Sequence, residues 1–190
     1  MTRENEFKDQ MKTKYPNIEI VGVQYSDGDK TKAMNQALDF MTANPDLAGF
    51  YGCNEGSTVG LAQAVAQSGK SEKIKVVGFD FSNDTKALIQ QKAIQATMVQ
   101  NPYQMGYLGT ELMKAYLEKD YETFQKTYPS FDPESKTFKD ENGDVYATEL
   151  RVVVPDENSP VKKDMFNPDT KFFYLKDFKA WLAERGLLNS

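Results

Sequence analysis

The sequence predicts an α/β protein built on an open parallel sheet with helices on both faces. Three observations carry that prediction. Short β-branched runs alternate with longer stretches whose apolar residues recur every three or four positions, the connections between them are short, and turn or capping residues stand at the junctions. With 39% hydrophobic and 12% aromatic residues over 190 positions, the chain has the material for a real core.

Taken in order, residues 4–14 place Phe7 and Met11 on one face and stop before Pro16, which predicts a surface helix. Ile18-Glu19-Ile20-Val21-Gly22-Val23 predicts a strand. Ser26-Asp27-Gly28-Asp29 is a turn that also offers an N-cap to a helix over 30–43, with Ala33, Met34, Ala37, Leu38 and Met41 inward. The alternation then repeats as strand 47–53, helix 57–67, strand 74–79, helix 83–92, strand 94–99 and helix 103–117. Such a rhythm calls for parallel strands joined by right-handed crossovers.

Residues 119–148 break it, with charge, Pro and turn formers. Asn142-Gly143 between Thr137-Phe138 and Val145-Tyr146 predicts a hairpin turn in a surface insertion. A strand follows at 150–154, then Phe172–Leu175 as a further strand or an apolar brace, then a closing helix over 176–186. The organisation along the chain is therefore a lobe over 1–118, a polar insertion over 119–148, and a returning segment over 149–190.

Composition narrows function. A formal net charge of −5 and scattered lysines exclude the concentrated basic face that nucleic acid requires. The absence of histidine removes the commonest general base, the commonest metal ligand and every histidine-activated nucleophile. Cys53 alone forms no intramolecular disulfide and reads as a small hydrophobe. Gly52–Gly56 lacks the spacing of a phosphate-cradling loop. Asp27, Asp29 and Asp80 lack the calcium-loop pattern and read as turn carboxylates, so no metal and no cofactor is expected. No run is apolar and long enough to span a bilayer. The polar start, with no signal peptide before the first helical pattern, reads as a fragment or an abrupt beginning.

In an open parallel sheet, ligands bind beyond the carboxyl ends of the strands. Three successive strands there deliver Asn54, Asp80 and Gln100. Amides and carboxylates can grip two neighbouring hydroxyls at once, so the pattern suits a sugar. Each residue alone also fits a helix cap.

These residues carry a resemblance. Arg3-x-x-x-Phe7, Gly52-Cys53-Asn54-Glu55, Val76-Val77-Gly78-Phe79-Asp80 and Ala96–Pro102, in that order, resemble the C-terminal lobe of periplasmic sugar-binding proteins of the ribose-binding type, which share their fold with LacI-type effector domains. The likeness runs from residue 3 to about 118, with a looser echo at 152–158. It implies one lobe of a type I periplasmic binding protein, in which Arg3, Asn54, Asp80 and Gln100 hold sugar hydroxyls and Phe79 forms an apolar wall. It also implies a non-enzymatic solute receptor of an ABC importer, with a membrane permease as partner and a periplasmic or cell-surface location. Departures are Glu6 where the family favours Gly, and Ser26-Asp27-Gly28 where some members carry a stacking aromatic, leaving Tyr25 as substitute.

The lobe that closes over the sugar in this family is not in the sequence. The helix over 103–117 is then expected to repack or to pair with a second copy, and affinity is expected to be poor, on the order of millimolar. Two other readings are an effector-sensing domain of a LacI-type regulator and an α/β carbohydrate-active enzyme.

Overall fold

A computed structural model describes residues 2–187. They gather into two compact units, one formed by residues up to 99 and from 151 onward, the other by 100–150.

The first unit opens with helix α1 (Thr2–Lys14), which has no fully buried residue, consistent with a surface helix. Helix α2 (Lys30–Ala43) begins where Asp29 accepts the Lys32 amide at 2.6 Å, the N-cap predicted from the turn. Strand β1 (Gly49–Tyr51), helix α3 (Glu55–Gln67), strand β2 (Lys75–Phe79), helix α4 (Asn83–Gln90) and strand β3 (Ala96–Val99) follow the predicted alternation closely.

The second unit holds helices α5 (Pro102–Glu118) and α6 (Tyr121–Thr127) and the short strands β4 (Phe131–Asp132) and β5 (Thr137–Phe138). The chain returns to the first unit as β6 (Arg151–Val154), a 3-10 turn at Lys163–Met165, β7 (Lys171–Tyr174) and helix α7 (Leu175–Ala183).

The described residues of the first unit form a five-stranded sheet in the order β1-β2-β3-β6-β7. All neighbours are parallel except β3 and β6, which run antiparallel with Met98 opposite Val152. One face packs against α2, α3, α4 and α7 through Val59, Val65, Val76, Ile89, Ile94, Val153 and Phe178. The other gathers Ala96, Val152 and Val154 with Val77, Met98, Phe166 and Phe172. Successive valines of β6 therefore serve opposite faces, and the whole strand is buried. Helices α2 and α3 approach until a Cβ on Gly60 would lie 2.3 Å from the Lys30 carbonyl oxygen, so only glycine fits there.

Two expectations need correction. The segment 18–23 joins no ladder among the described residues, and Ile18, Ile20, Val21 and Val23 remain 37–56% exposed. β-Branched residues favour the extended backbone locally, but a strand exists only where a neighbour completes its hydrogen bonds. The hairpin is also displaced: β4 and β5 pair Phe131 with Phe138 and turn over 133–136, while Asn142-Gly143 lies in a later turn. Aromatic packing decides it. Phe131 sits 4.6 Å from Phe124 and 5.5 Å from Phe138, and Tyr116, Tyr121 and Tyr128 complete a small aromatic core in this unit.

Candidate functional site

Strands β1 and β2 end side by side, and their carboxyl ends carry the predicted polar residues. After β1 the chain passes Gly52 and Cys53 to Asn54, the N-cap of α3. The Asn54 side-chain oxygen accepts the Ser57 amide at 2.9 Å and the Ser57 hydroxyl at 3.0 Å. The capping role foreseen for this residue is thus real and occupies its oxygen. Its side-chain nitrogen donates to nothing among the described residues, and the residue is exposed. Both of its amide hydrogens remain to meet an acceptor.

Asp80 follows β2 in the left-handed region, at φ 70°, an uncommon conformation for a residue with a Cβ. Two backbone bonds fix it there: its amide donates to the Met98 carbonyl at 2.8 Å, and its own carbonyl accepts the Thr97 hydroxyl at 2.8 Å. The half-buried carboxylate makes no hydrogen bond or ion pair with another described residue.

Arg3 reaches the same edge from α1. Its guanidinium donates to the Cys53 carbonyl at 2.8 Å and lies over the Phe79 ring, 3.8 Å from the centroid. Phe79 in turn meets Tyr51 edge-on at 6.1 Å, and Tyr51 stacks on Phe7 at 4.3 Å. The arginine is therefore held flat by an aromatic floor that continues into α1. Burial pushes the Tyr51 phenol up to about 12, so this floor stays neutral. Burial likewise pushes the Cys53 thiol up, away from the thiolate a nucleophile needs.

Gln100 follows the last residue of β3 and is the first residue of the second unit. Arg3, Phe79, Asp80 and Asn54 thus stand at one edge of the first unit, and Gln100 adjoins it in the chain at the end of β3.

Sequence reading missed Thr58. Its hydroxyl donates to the Asn54 carbonyl at 2.7 Å and accepts the Phe79 amide at 3.0 Å, tying the loop after β1 to the end of β2. Thr58 is fully buried in α3, a burial that only the fold reveals. At the rim, Lys30 bridges Asp84 at 2.7 Å and Glu55 at 3.2 Å, joining the first turns of α2, α3 and α4. The Tyr25 hydroxyl donates to the Glu4 carboxylate, which Lys8 also holds. Those bonds keep Glu4 below the usual carboxylate range, Lys8 first.

Among the described residues no three His, Cys, Asp or Glu side chains stand close enough to hold a metal ion, and no helix is long and apolar enough to cross a membrane.

Comparison with known proteins identifies the family. Residues 1–120 match the family model described as a periplasmic binding protein domain. The D-allose-binding periplasmic protein of Escherichia coli is 35% identical over 96 residues, which are 50% of this chain and 31% of that protein. The ribose import binding protein of Salmonella typhimurium is 31% identical over 110 residues, 58% of this chain and 36% of that protein. Among solved structures, a carbohydrate transporter solute-binding protein from Agrobacterium radiobacter in complex with D-arabinose superposes with TM-score 0.60. It is 38% identical and the match covers 62% of this chain and 40% of that one. GanP, a glucose-galactose binding protein from Geobacillus stearothermophilus, superposes with TM-score 0.64 at 26% identity, covering 84% of this chain and 49% of that one. The chain spans about a third of the length of the curated relatives it matches. It belongs to the periplasmic binding protein family.

Proposed function

We propose that the carboxyl edge of β1 and β2 binds a monosaccharide, and that the chain is the sugar-reading part of a solute receptor serving an ABC importer. The observation that carries this is the Arg3 guanidinium clamped over Phe79 at the strand end where Asp80 follows in the chain. Arg3 donates two parallel hydrogen bonds to hydroxyl or ring oxygens, and Asp80 accepts from two neighbouring hydroxyls. Asn54 donates through its amide hydrogens, and Phe79 covers the apolar C–H face of the ring. Recognition requires no group transfer, and the relatives named above are binding proteins. A periplasmic or cell-surface setting and a membrane permease as partner follow from the same reading.

The test is a titration followed by amide NMR with D-ribose, D-allose, D-arabinose and D-glucose. A saturable shift at the Asn54 and Asp80 amides is expected for at least one sugar. Arg3→Ala and Asp80→Asn should each weaken it roughly tenfold or more, the range for hydrogen bonds to charged groups. Absence of a saturable response to every sugar would overturn the proposal.

Pairing of two copies through α5 belongs to the same proposal. Tyr103 is 78%, Met113 66% and Leu117 73% exposed, an apolar surface that favours association. Sedimentation equilibrium should show a dimer that Leu117→Ser and Met113→Lys together dissociate; a monomer at all concentrations would remove this part alone.

A further inference from the structure

Strand β2 ends between two buried threonines. On the β1 side, the parallel ladder runs on as far as the Gly52 amide, which donates to the Val77 carbonyl at 2.9 Å. Even spacing would carry the next rung from the Phe79 amide to the Gly52 carbonyl. The Phe79 amide donates to the Thr58 hydroxyl instead, at 3.0 Å, and that hydroxyl donates to the Asn54 carbonyl at 2.7 Å. Two glycines make the notch that admits this side chain. A Cβ on Gly52 would lie 2.5 Å from the Thr58 hydroxyl oxygen, and one on Gly78 would lie 2.5 Å from its methyl carbon. The chain after β1 can therefore leave β2 at Gly52 without orphaning a buried amide.

On the β3 side, Thr97 stands opposite Gly78 in the register. Its hydroxyl donates to the Asp80 carbonyl at 2.8 Å, while the Asp80 amide donates to the Met98 carbonyl at 2.8 Å. Phe79 and Asp80 are thus tied to opposite neighbours, one through each threonine. Phe79 carries the Arg3 guanidinium, and Asp80 takes its left-handed backbone at the next position. Thr58 and Thr97 are both 0% exposed, so neither hydroxyl meets a ligand directly.

We infer that Thr58 and Thr97 are positioning residues for sugar binding, holding the Asn54 loop, the Phe79 floor and the Asp80 backbone in the arrangement that grips the ligand. The inference rests on the sugar site proposed above. Thr58 replaces a backbone carbonyl as the partner of Phe79, which lets the Asn54 loop part from β2 where the ligand edge begins. Thr97 anchors the carbonyl of Asp80 and so fixes the direction in which that residue leaves the strand. The two parts of each side chain have separate duties. The methyl fills space and serves stability, whereas the hydroxyl sets the backbone and serves affinity.

Four variants of the full chain test it, titrated with whichever of D-ribose, D-allose, D-arabinose and D-glucose the parent binds. Thr58→Val and Thr97→Val keep the shape and delete the hydroxyl; Thr58→Ser and Thr97→Ser keep the hydroxyl and delete the methyl. Each valine variant should weaken binding about tenfold, the scale set by a buried partner left unpaired. Thr58→Val should also speed hydrogen exchange at the Phe79 amide in the sugar-free chain. The serine variants should recover most of the affinity even where their melting temperatures fall as far as those of the valine variants. If Thr58→Val does not fold, the Thr97 pair decides alone. Affinity that follows melting temperature alike in all variants, or valine variants that bind as the parent does, overturns the inference and leaves the sugar site standing. A parent chain that answers none of the four sugars overturns both.

Discussion

Ile18–Val23 and Arg151–Val154 are similar β-branched runs that meet opposite fates. The second is β6, paired with β3 and β7 and buried along its whole length. The first pairs with no strand among the described residues, and its apolar side chains are partly in solvent. The difference lies in their neighbours. Backbone preference is a local property, whereas pairing is supplied by residues distant along the chain, so equal strand propensity produces a central strand in one place and an open edge in the other.

Mutations sharpen the contrast, beginning with the core over β6. Phe178 is 1% exposed and packs against Phe81 at 4.8 Å, Phe173 at 5.3 Å and Trp181 at 5.7 Å. Phe178→Ala should cost about 4 kcal/mol in denaturant unfolding, the transfer term plus a cavity. Val153→Ala removes two buried carbons from β6 and should cost roughly 2 kcal/mol. Ile20→Ala, in the unpaired run, should stay within about 0.5 kcal/mol. Equal costs at Val153 and Ile20 would break the comparison.

Much of this was legible in the residues themselves. The β/α rhythm follows from hydrophobic spacing, and the caps at Asp29 and Asn54 follow from side chains that compete for the next turn's amides. Asp80 was legible as a strand-end residue because the end of β2 can be read from Val76–Phe79 alone. What escaped depends on contacts between remote positions. Nothing in Arg151–Val154 says that it enters beside β3 and runs against it. The aromatic core of the second unit draws Phe131 and Phe138 together over a turn that carries no Asn-Gly signal. Thr58 becomes visible only once α3 and the end of β2 are adjacent.

A smaller effect separates function from stability at the carboxyl edge. Asp80 holds a left-handed backbone that glycine adopts without a Cβ penalty. Asp80→Gly should therefore stabilise the fold by roughly 0.5–1 kcal/mol while removing the carboxylate, so thermal stability rises as sugar response falls. Destabilisation by this substitution would mean that the carboxylate itself holds the loop, contrary to its lack of a partner.

The smallest effect concerns the other end of the sheet, where Asp156 after β6 meets Lys92 after α4 at 2.8 Å. The Lys92 bond and the Asn158 amide hold the Asp156 carboxyl below its ordinary value, and the same bond raises the Lys92 ammonium. A depressed carboxylate contributes stability above its unfolded pKa, near 3.9, and loses it as pH falls through the lower folded value. A raised ammonium contributes below its unfolded pKa, near 10.4, and loses it as pH rises through the higher folded value. The pair should thus act across the neutral range and fade at both extremes. Both groups are solvated, so added salt should shrink the effect. Melting curves of the parent chain and Asp156→Asn, separated slightly at pH 7 and low salt, should converge as pH falls through the lowered folded value. A gap that persists there would assign the residue's role to the turn at Asn158 rather than to Lys92.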